Sequence, residues 1–382
     1  MIKNVFVKRV LKRTIFPVLT LVNKVIPKDD NIIFLYSANK GVQHNLIPLK
    51  EYLIDNGYDK KYKIICGIES LKYKEADGLC YINRLQSIFQ FMRSKHVYYT
   101  TGQIPIKPSK KQIVIHLDHG TTSIKTGNLL TNIHNGDDFF FTYYTVPSEI
   151  YIPVVKKEFL CDDKNIVING EPVMDILCNN IHKFTLNKDV KHGLWAPTFR
   201  QSDYLGYNDS TQEELLPMLK EEDYEELNEL LKHNHIDLVV KLHPAQNLTD
   251  YDKLEYSNLH IYSDEDFKNK GYDLYNYMKE LDFLIGDYSS VYLEFMVLDK
   301  PLAFAIPDLE EYAEKRGFIF DDIERYMPGE KLTKKEELYQ FIKKMADGRD
   351  DFAEERRAIC KIIHHYQDDK NCIRCLELSG IC

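Results

Sequence analysis

The sequence predicts an α/β protein made of two Rossmann-like domains. Three observations carry that expectation. The 382 residues, 44% apolar and 29% charged, suffice for two domains with separate cores. From Asn31 onward, short β-branched or aromatic runs alternate with helical patterns, the mark of βαβ units around a parallel sheet. The series then restarts after the polar stretch Asn179–Lys191. The expected organisation is an arm over 1–28, an N-terminal α/β domain over 29–185 and a C-terminal one over 186–382, whose last helix can return to the first.

The first series opens with Asn31–Tyr36 (NIIFLY) as a strand and Leu46–Ile54 as a helix. Tyr62–Ile68 (YKIICGI), His96–Thr100 and Gln112–Leu117 (QIVIHL) read as strands, with a helix at Ser87–Ser94. Asp138–Tyr144 and Asn165–Asn169 complete this half. In the second series, Gly193–Ala196, Ile236–Leu242 (IDLVVKL), Phe283–Ile285 and Leu302–Ile306 (LAFAI) are strands. Helices are expected at Glu221–Lys232, Ser290–Leu298, Lys334–Met345 and Phe352–Tyr366. The acids of Glu221–Glu229 have the spacing of a solvated face. Continuous apolar runs fit strands buried on both sides of a sheet.

The charge is unevenly placed. Residues 1–28 hold seven basic side chains (Lys3, Lys8, Arg9, Lys12, Arg13, Lys24, Lys28) and no acid, so a net charge of −9 with +7 in the arm leaves −16 for the rest. An acidic body excludes a broad nucleic-acid surface. The apolar run Ile15–Val22 is broken by Pro17 and has no small-residue cleavage site after it, so it does not read as a secretory signal. It is also far short of the roughly 20 residues a membrane span needs. A basic and apolar segment of this kind suits the anionic cytoplasmic face of a membrane. The alternative is a first helix packed on the body with a solvated basic side. Eight cysteines without an export signal read as reduced thiols. Cys372-x-x-Cys375 lacks the second pair that a zinc site calls for, and no motif demands a metal or cofactor.

Ligands of open α/β sheets bind outside the carboxyl ends of the strands, and four expected strand ends carry polar clusters. His116-Leu-Asp118-His119-Gly120 follows the QIVIHL strand. Here His119 can present an imidazole to a cleft and accept a proton from a hydroxyl, whereas His116 precedes the turn and reads as structural. Trp195-Ala-Pro197-Thr198-Phe199-Arg200 delivers Thr198 and Arg200 to a rim, where an arginine suits a phosphate. Lys241-Leu-His243-Pro244 ends its strand at a proline, so His243 projects past the sheet. Gly286-Asp287-Tyr288-Ser289-Ser290 offers hydroxyls at a helix start, suited either to phosphate binding or to simple capping. Together the four imply a phosphorylated ligand in a cleft between the domains.

These motifs (HLDHG, LWAPTFR, VKLHP) and the long segment FLIGDYSSVYLEFMVLDKPLAFAIPDLEEYAEKRGFIFD resemble the CDP-glycerol glycerophosphotransferases of teichoic-acid and capsule assembly. Asn169-Gly170-Glu-Pro172-x-x-Asp175, Asn45-Leu-x-x-Leu49-x-x-Tyr52-Leu53 and Arg374 fit the same pattern. The resemblance covers residues 30–375 and is loosest in the N-terminal half. It implies a two-domain GT-B-like fold acting peripherally at the cytoplasmic face of the bacterial membrane, with a CDP-glycerol or CDP-ribitol donor and a lipid-linked saccharide or polyol-phosphate acceptor. It implies no cofactor. His119 is similar to the family's proposed base. His243, Arg200, Thr198, Ser289 and Ser290 correspond to groups holding the donor pyrophosphate, and Asp287 and Glu310 to the nucleotide or polyol wall. Asp118, Gly120 and Lys125 fall on the acceptor side. Asp118 stands where the family usually has tryptophan, and its carboxylate would raise the basicity of His119 on approach. The short length leans towards a priming role. Two rivals share the motifs: a GT-B transferase using a CMP-activated sugar, as bacterial sialyltransferases do, and a non-catalytic nucleotide- or polymer-binding relative.

Overall fold

The computed structural model describes residues 14–38, 40–130, 138–202, 207–211, 214–244 and 255–381. It divides into two compact units. The first comprises residues 1–120, 127–175 and 364–382, and the second 121–126 and 176–363. The chain therefore changes unit at Asp175/Ile176 rather than at 185/186, and the last helix belongs with the first unit. The short segment 121–126, which holds Lys125, belongs with the second.

The first unit is a seven-stranded sheet. Its strands are β1 (Asp29–Tyr36), β2 (Lys63–Gly67), β3 (Cys80–Ile82), β4 (Ser94–Tyr99), β5 (Ile113–His116), β6 (Tyr143–Val146) and β7 (Ile166–Ile168). All pair parallel, in the order β3-β2-β1-β4-β5-β6-β7. Because side chains alternate across a strand, β1 feeds two cores. Ile33 and Leu35 pack with the helices Leu46–Asp55 and Asn371–Leu378 on one face. Ile32, Phe34 and Tyr36 pack on the other with the helices Ile15–Val25 and Arg84–Arg93. The last helix is tied in by Asp175, which accepts from Asn371 N at 2.7 Å and Cys372 N at 2.8 Å. Gly170, at φ +72°, passes so close that a Cβ there would lie 1.9 Å from Asn371 Oδ1. That approach explains the glycine in the Asn169-Gly170-x-Pro172 motif.

The second unit holds β8 (Lys191–Trp195), β11 (Ile236–Lys241), β12 (Leu259–Tyr262), β13 (Phe283–Gly286), β14 (Leu302–Ala305) and β15 (Glu330–Leu332). They form a parallel sheet in the order β12-β11-β8-β13-β14-β15. A small antiparallel pair, β9 (Gln201–Ser202) and β10 (Tyr207–Asn208), stands apart from it. The helices Tyr224–His233 and Lys335–Ala346 cover one face with Leu227, Leu231, Leu338, Phe341 and Ile342, all buried. In each sheet the chain leaves a central strand towards one edge and later returns to its other side. That reversal lies between β1 and β4 in the first sheet and between β8 and β13 in the second. These are the switch points where such sheets bind ligands.

Candidate active site

In the first unit, β5 ends at His116, and the chain turns sharply through Asp118, whose φ of +54° is rare outside glycine. His116 is structural. It is buried, stacks on Tyr144 at 4.6 Å and accepts Asp118 N at 3.0 Å through Nδ1. The turn brings Asp118 Oδ1 to 2.6 Å from His119 Nδ1, while Oδ2 accepts the hydroxyl of Tyr144. A carboxylate acts here as acceptor, so Nδ1 carries the proton and Nε2 is left to accept one. Burial in this region opposes the imidazolium, but the Asp118 charge and hydrogen bond outweigh it, helped by Glu158 and Glu171, so the pKa of His119 is raised. The ring stays 47% exposed. Asp118 itself is held well below the usual carboxylate range: burial works against its charge, and His119 more than compensates. An exposed imidazole, oriented and made more basic by a carboxylate, is the arrangement of a general base.

In the second unit, the switch point is dry. Thr198, three residues past β8, donates to Asp287 at the end of β13 through both N (2.8 Å) and Oγ1 (2.6 Å). Arg200 Nη1 donates to Asp287 Oδ2 at 2.6 Å, and its Nε to Asp308 Oδ2 at 2.8 Å. Its guanidinium lies over the Tyr288 ring at 4.7 Å, and Tyr288 donates its hydroxyl to Asp308 Oδ1 at 2.9 Å. Arg200 is 5% exposed and Asp287 fully buried. Burial alone would destabilise the cation; the two carboxylates reverse that and raise its pKa. Burial opposes the Asp308 charge too, and Arg200 overrides it, leaving the Asp308 pKa lowered.

Two sequence expectations are corrected here. Arg200 is not an exposed rim cation but the buried centre of an ion cluster, because Asp287 and Asp308 reach it from the segments that follow β13 and β14, far away in sequence. Asp287 is not a ligand-facing wall. Its oxygens are taken by Thr198, Arg200 and, at 3.2 Å, the backbone N of Ser289. It thereby fixes the loop that carries the two serines. Ser289 and Ser290 are half-buried at the start of the short helix Val291–Phe295, and Ser290 makes no side-chain cap bond.

His243, half-buried just past β11, packs its ring 4.7 Å from Phe199. Burial, and then Lys241, push its pKa down to about 4, which favours the neutral, hydrogen-bonding form of the ring. Glu310 is exposed in the first turn of Leu309–Lys315. Gly120 is buried at φ +126°. Lys125 lies in the second unit, its backbone N bonded to Gly317 O at 3.0 Å, so its placement with the N-terminal domain is corrected. The residues that sequence reasoning missed are Tyr144, Tyr288, Asp308 and His44, whose ring sits 5.8 Å from that of His119. Asp308 stands inside the quoted IPDLEEY run, the one signal that could have marked it. Cys372 and Cys375 are buried, and Asn169 donates to Cys375 Sγ at 3.1 Å.

Residues 18–378 match the profile of the CDP-glycerol:poly(glycerophosphate) glycerophosphotransferases. The chain belongs to that family. Among relatives, it is 36% identical over 211 residues to the teichoic acid glycerol-phosphate primase of Bacillus subtilis, an alignment covering 53% of this chain and 49% of the primase. With the teichoic acid poly(glycerol phosphate) polymerase of Bacillus spizizenii it shares 24% identity over 364 residues, 86% of each protein. The alignments with the glycerol-phosphate and ribitol-phosphate primases reach about half of each relative's length, 49% and 47%. In three dimensions it is similar to the wall teichoic acid polymerase TagF, with a TM-score of 0.73 at 18% identity over 99% of this chain and 95% of that one. This family member thus shares the TagF fold, with its two parallel sheets.

Proposed function

We propose that the protein transfers glycerol phosphate, or a related polyol phosphate, from a CDP-polyol to a lipid-linked saccharide or polyol-phosphate acceptor in teichoic acid or capsule assembly. Membership of a glycerophosphotransferase family supports the donor class. The single observation that carries the chemistry is the Asp118–His119 pair. His119 Nε2 takes the proton of an acceptor hydroxyl. The hydroxyl oxygen forms a bond to the donor's β-phosphorus, while the bond from that phosphorus to the bridging oxygen breaks and CMP leaves with its electron pair. Ser289 and Ser290, with His243, supply hydrogen-bond donors for the donor phosphates, while Thr198, whose two donors are both taken by Asp287, helps to hold their loop. Arg200 acts through Asp287 and Asp308, holding the loop that presents them. Positioning and electrostatics of this kind account for most of phosphoryl-transfer catalysis.

Work at the cytoplasmic face of the membrane is part of the proposal. Among the described residues no helix is long and apolar enough to span a bilayer. The helix Ile15–Val25 packs Phe16 and Leu19 inward and leaves Ile15, Val18, Leu21, Val22 and Val25 exposed. Its described outward side is therefore largely apolar, with Lys24 exposed on the same helix. Leu85 and Phe89, on a helix packed in the same core, are 73% and 67% exposed. Lys24, Arg84 and Arg93 lie on the same two helices. Apolar side chains beside cations suit an anionic leaflet. Lys3, Lys8, Arg9, Lys12 and Arg13 lie outside the described residues. The test is CMP release from CDP-glycerol, CDP-ribitol and CMP-sialic acid with a lipid-linked acceptor. Release from a CDP-polyol alone is expected; release from CMP-sialic acid, or from none, overturns the reading.

A further inference from the structure

We infer that the switch point of the first sheet is an acceptor subsite in which His44 holds an anionic phosphate of the acceptor while its hydroxyl sits on His119. The inference rests on the transfer reading above and adds the recognition of the nucleophile. The topology places the loop that follows β1, and ends at His44, beside the carboxyl end of β4. The two strand ends touch: Ala38 N donates to Thr101 O at 3.3 Å, and Gly102, at φ +68°, stands where a Cβ would press on Ala38. His44 has a φ of +50°, a conformation that costs a non-glycine residue free energy and turns up where surroundings enforce it for function. It points the ring edge-on to His119, 5.8 Å between centres.

The enforcing residue is Asn45. It is fully buried, donates to Leu117 O at 2.8 Å and accepts from Val173 N at 3.1 Å. One side chain thus locks the His44 turn to the strand end that carries Asp118 and His119. A polyol-phosphate terminus carries its free hydroxyl and its phosphodiester on one short carbon chain, so two neighbouring imidazoles can take one end each. An imidazole N–H is a good donor to such a phosphate. The His119 side carries the influence of Glu158 and Glu171, so an anionic acceptor needs an opposing donor there. His44 supplies it.

The test uses the full chain with CDP-glycerol and two synthetic lipid-linked disaccharides, one ending in glycerol phosphate and one without it. His44→Leu is expected to raise KM about tenfold for the phosphate-ended acceptor, and not for the bare disaccharide or the donor; His44→Gln, which keeps an N–H donor, restores part of the loss. An unchanged KM, equal losses on both acceptors, or a loss confined to kcat overturns the subsite. A second readout needs no turnover: glycerol 3-phosphate should shift the imidazole Cε1–H resonances of both His44 and His119 in the wild type, and only weakly in His44→Leu. Absent shifts overturn the subsite. If wild type releases no CMP yet the shifts appear, the transfer reading fails and the subsite stands.

Discussion

The carboxyl ends of the two sheets solve the same problem with opposite treatments of charge. In the first sheet, a carboxylate, an imidazole and a phenol meet at a turn where His119 keeps about half its surface in water. In the second, a carboxylate pair, a guanidinium and a phenol meet where Arg200 and Asp287 are closed off from it. The difference teaches which group can react. A side chain that gives up its exposure to pair with buried carboxylates becomes scaffold. One that is oriented by a carboxylate yet remains wet is free to meet substrate.

The sharpest way to break this contrast is Arg200→Ala. Removing one partner of a buried ion cluster leaves Asp287 and Asp308 unpaired and costs about 3–5 kcal/mol. Unfolding in urea, followed by the fluorescence of Trp195, reads this directly, because the chain's single tryptophan is buried at the end of β8 in the same unit. A variant with an unchanged midpoint that loses only donor binding would make Arg200 a ligand contact after all, and the contrast would fall.

His119→Ala probes the wet side. Turnover should fall by a factor of about 10²–10⁴, with donor affinity and the Trp195 midpoint unmoved. Unchanged turnover removes His119 as the base. Asp118→Asn sharpens the point. The carboxylate raises the pKa of His119, and the base works deprotonated, so rate climbs as pH rises through that pKa. Without the carboxylate the pKa falls and the climbing limb moves to lower pH, while the plateau drops about tenfold or more as the imidazole loses its orientation. A limb that stays in place would show that Asp118 does not tune His119.

Much of this was legible beforehand. Runs such as NIIFLY, IDLVVKL and LAFAI became central strands because buried parallel strands need apolar side chains on both faces. The edge strands β3 and β15, three residues each and the latter partly polar, are too short to carry such a signal. The strand expected from Asp138 begins only at Tyr143, since Phe139 and Phe141 pack edge-on to Phe159 instead of joining the ladder. The place of His119 just past a strand was legible from its own neighbours, His-Gly after the QIVIHL run. The fate of Arg200 was not, because its partners Asp287 and Asp308 lie 87 and 108 residues away and only the topology brings them together.

The smallest expected effect concerns the outward faces of the helices Ile15–Val25 and Arg84–Arg93. Phe89 is 67% exposed, so Phe89→Ser should change folding stability by no more than about 0.5 kcal/mol. If that face enters a bilayer, the same change removes an aromatic ring from the acyl boundary and should weaken binding to vesicles containing anionic lipid about tenfold. Raising salt should weaken binding further through Lys24, Arg84 and Arg93. The two effects separate the contributions: salt acts on the cations, serine on the apolar contact. Full vesicle binding by Phe89→Ser, lost only when residues 1–13 are removed, would place membrane contact in the basic arm alone. The exposed rings and aliphatic chains of the two helices would then be surface without a bilayer role.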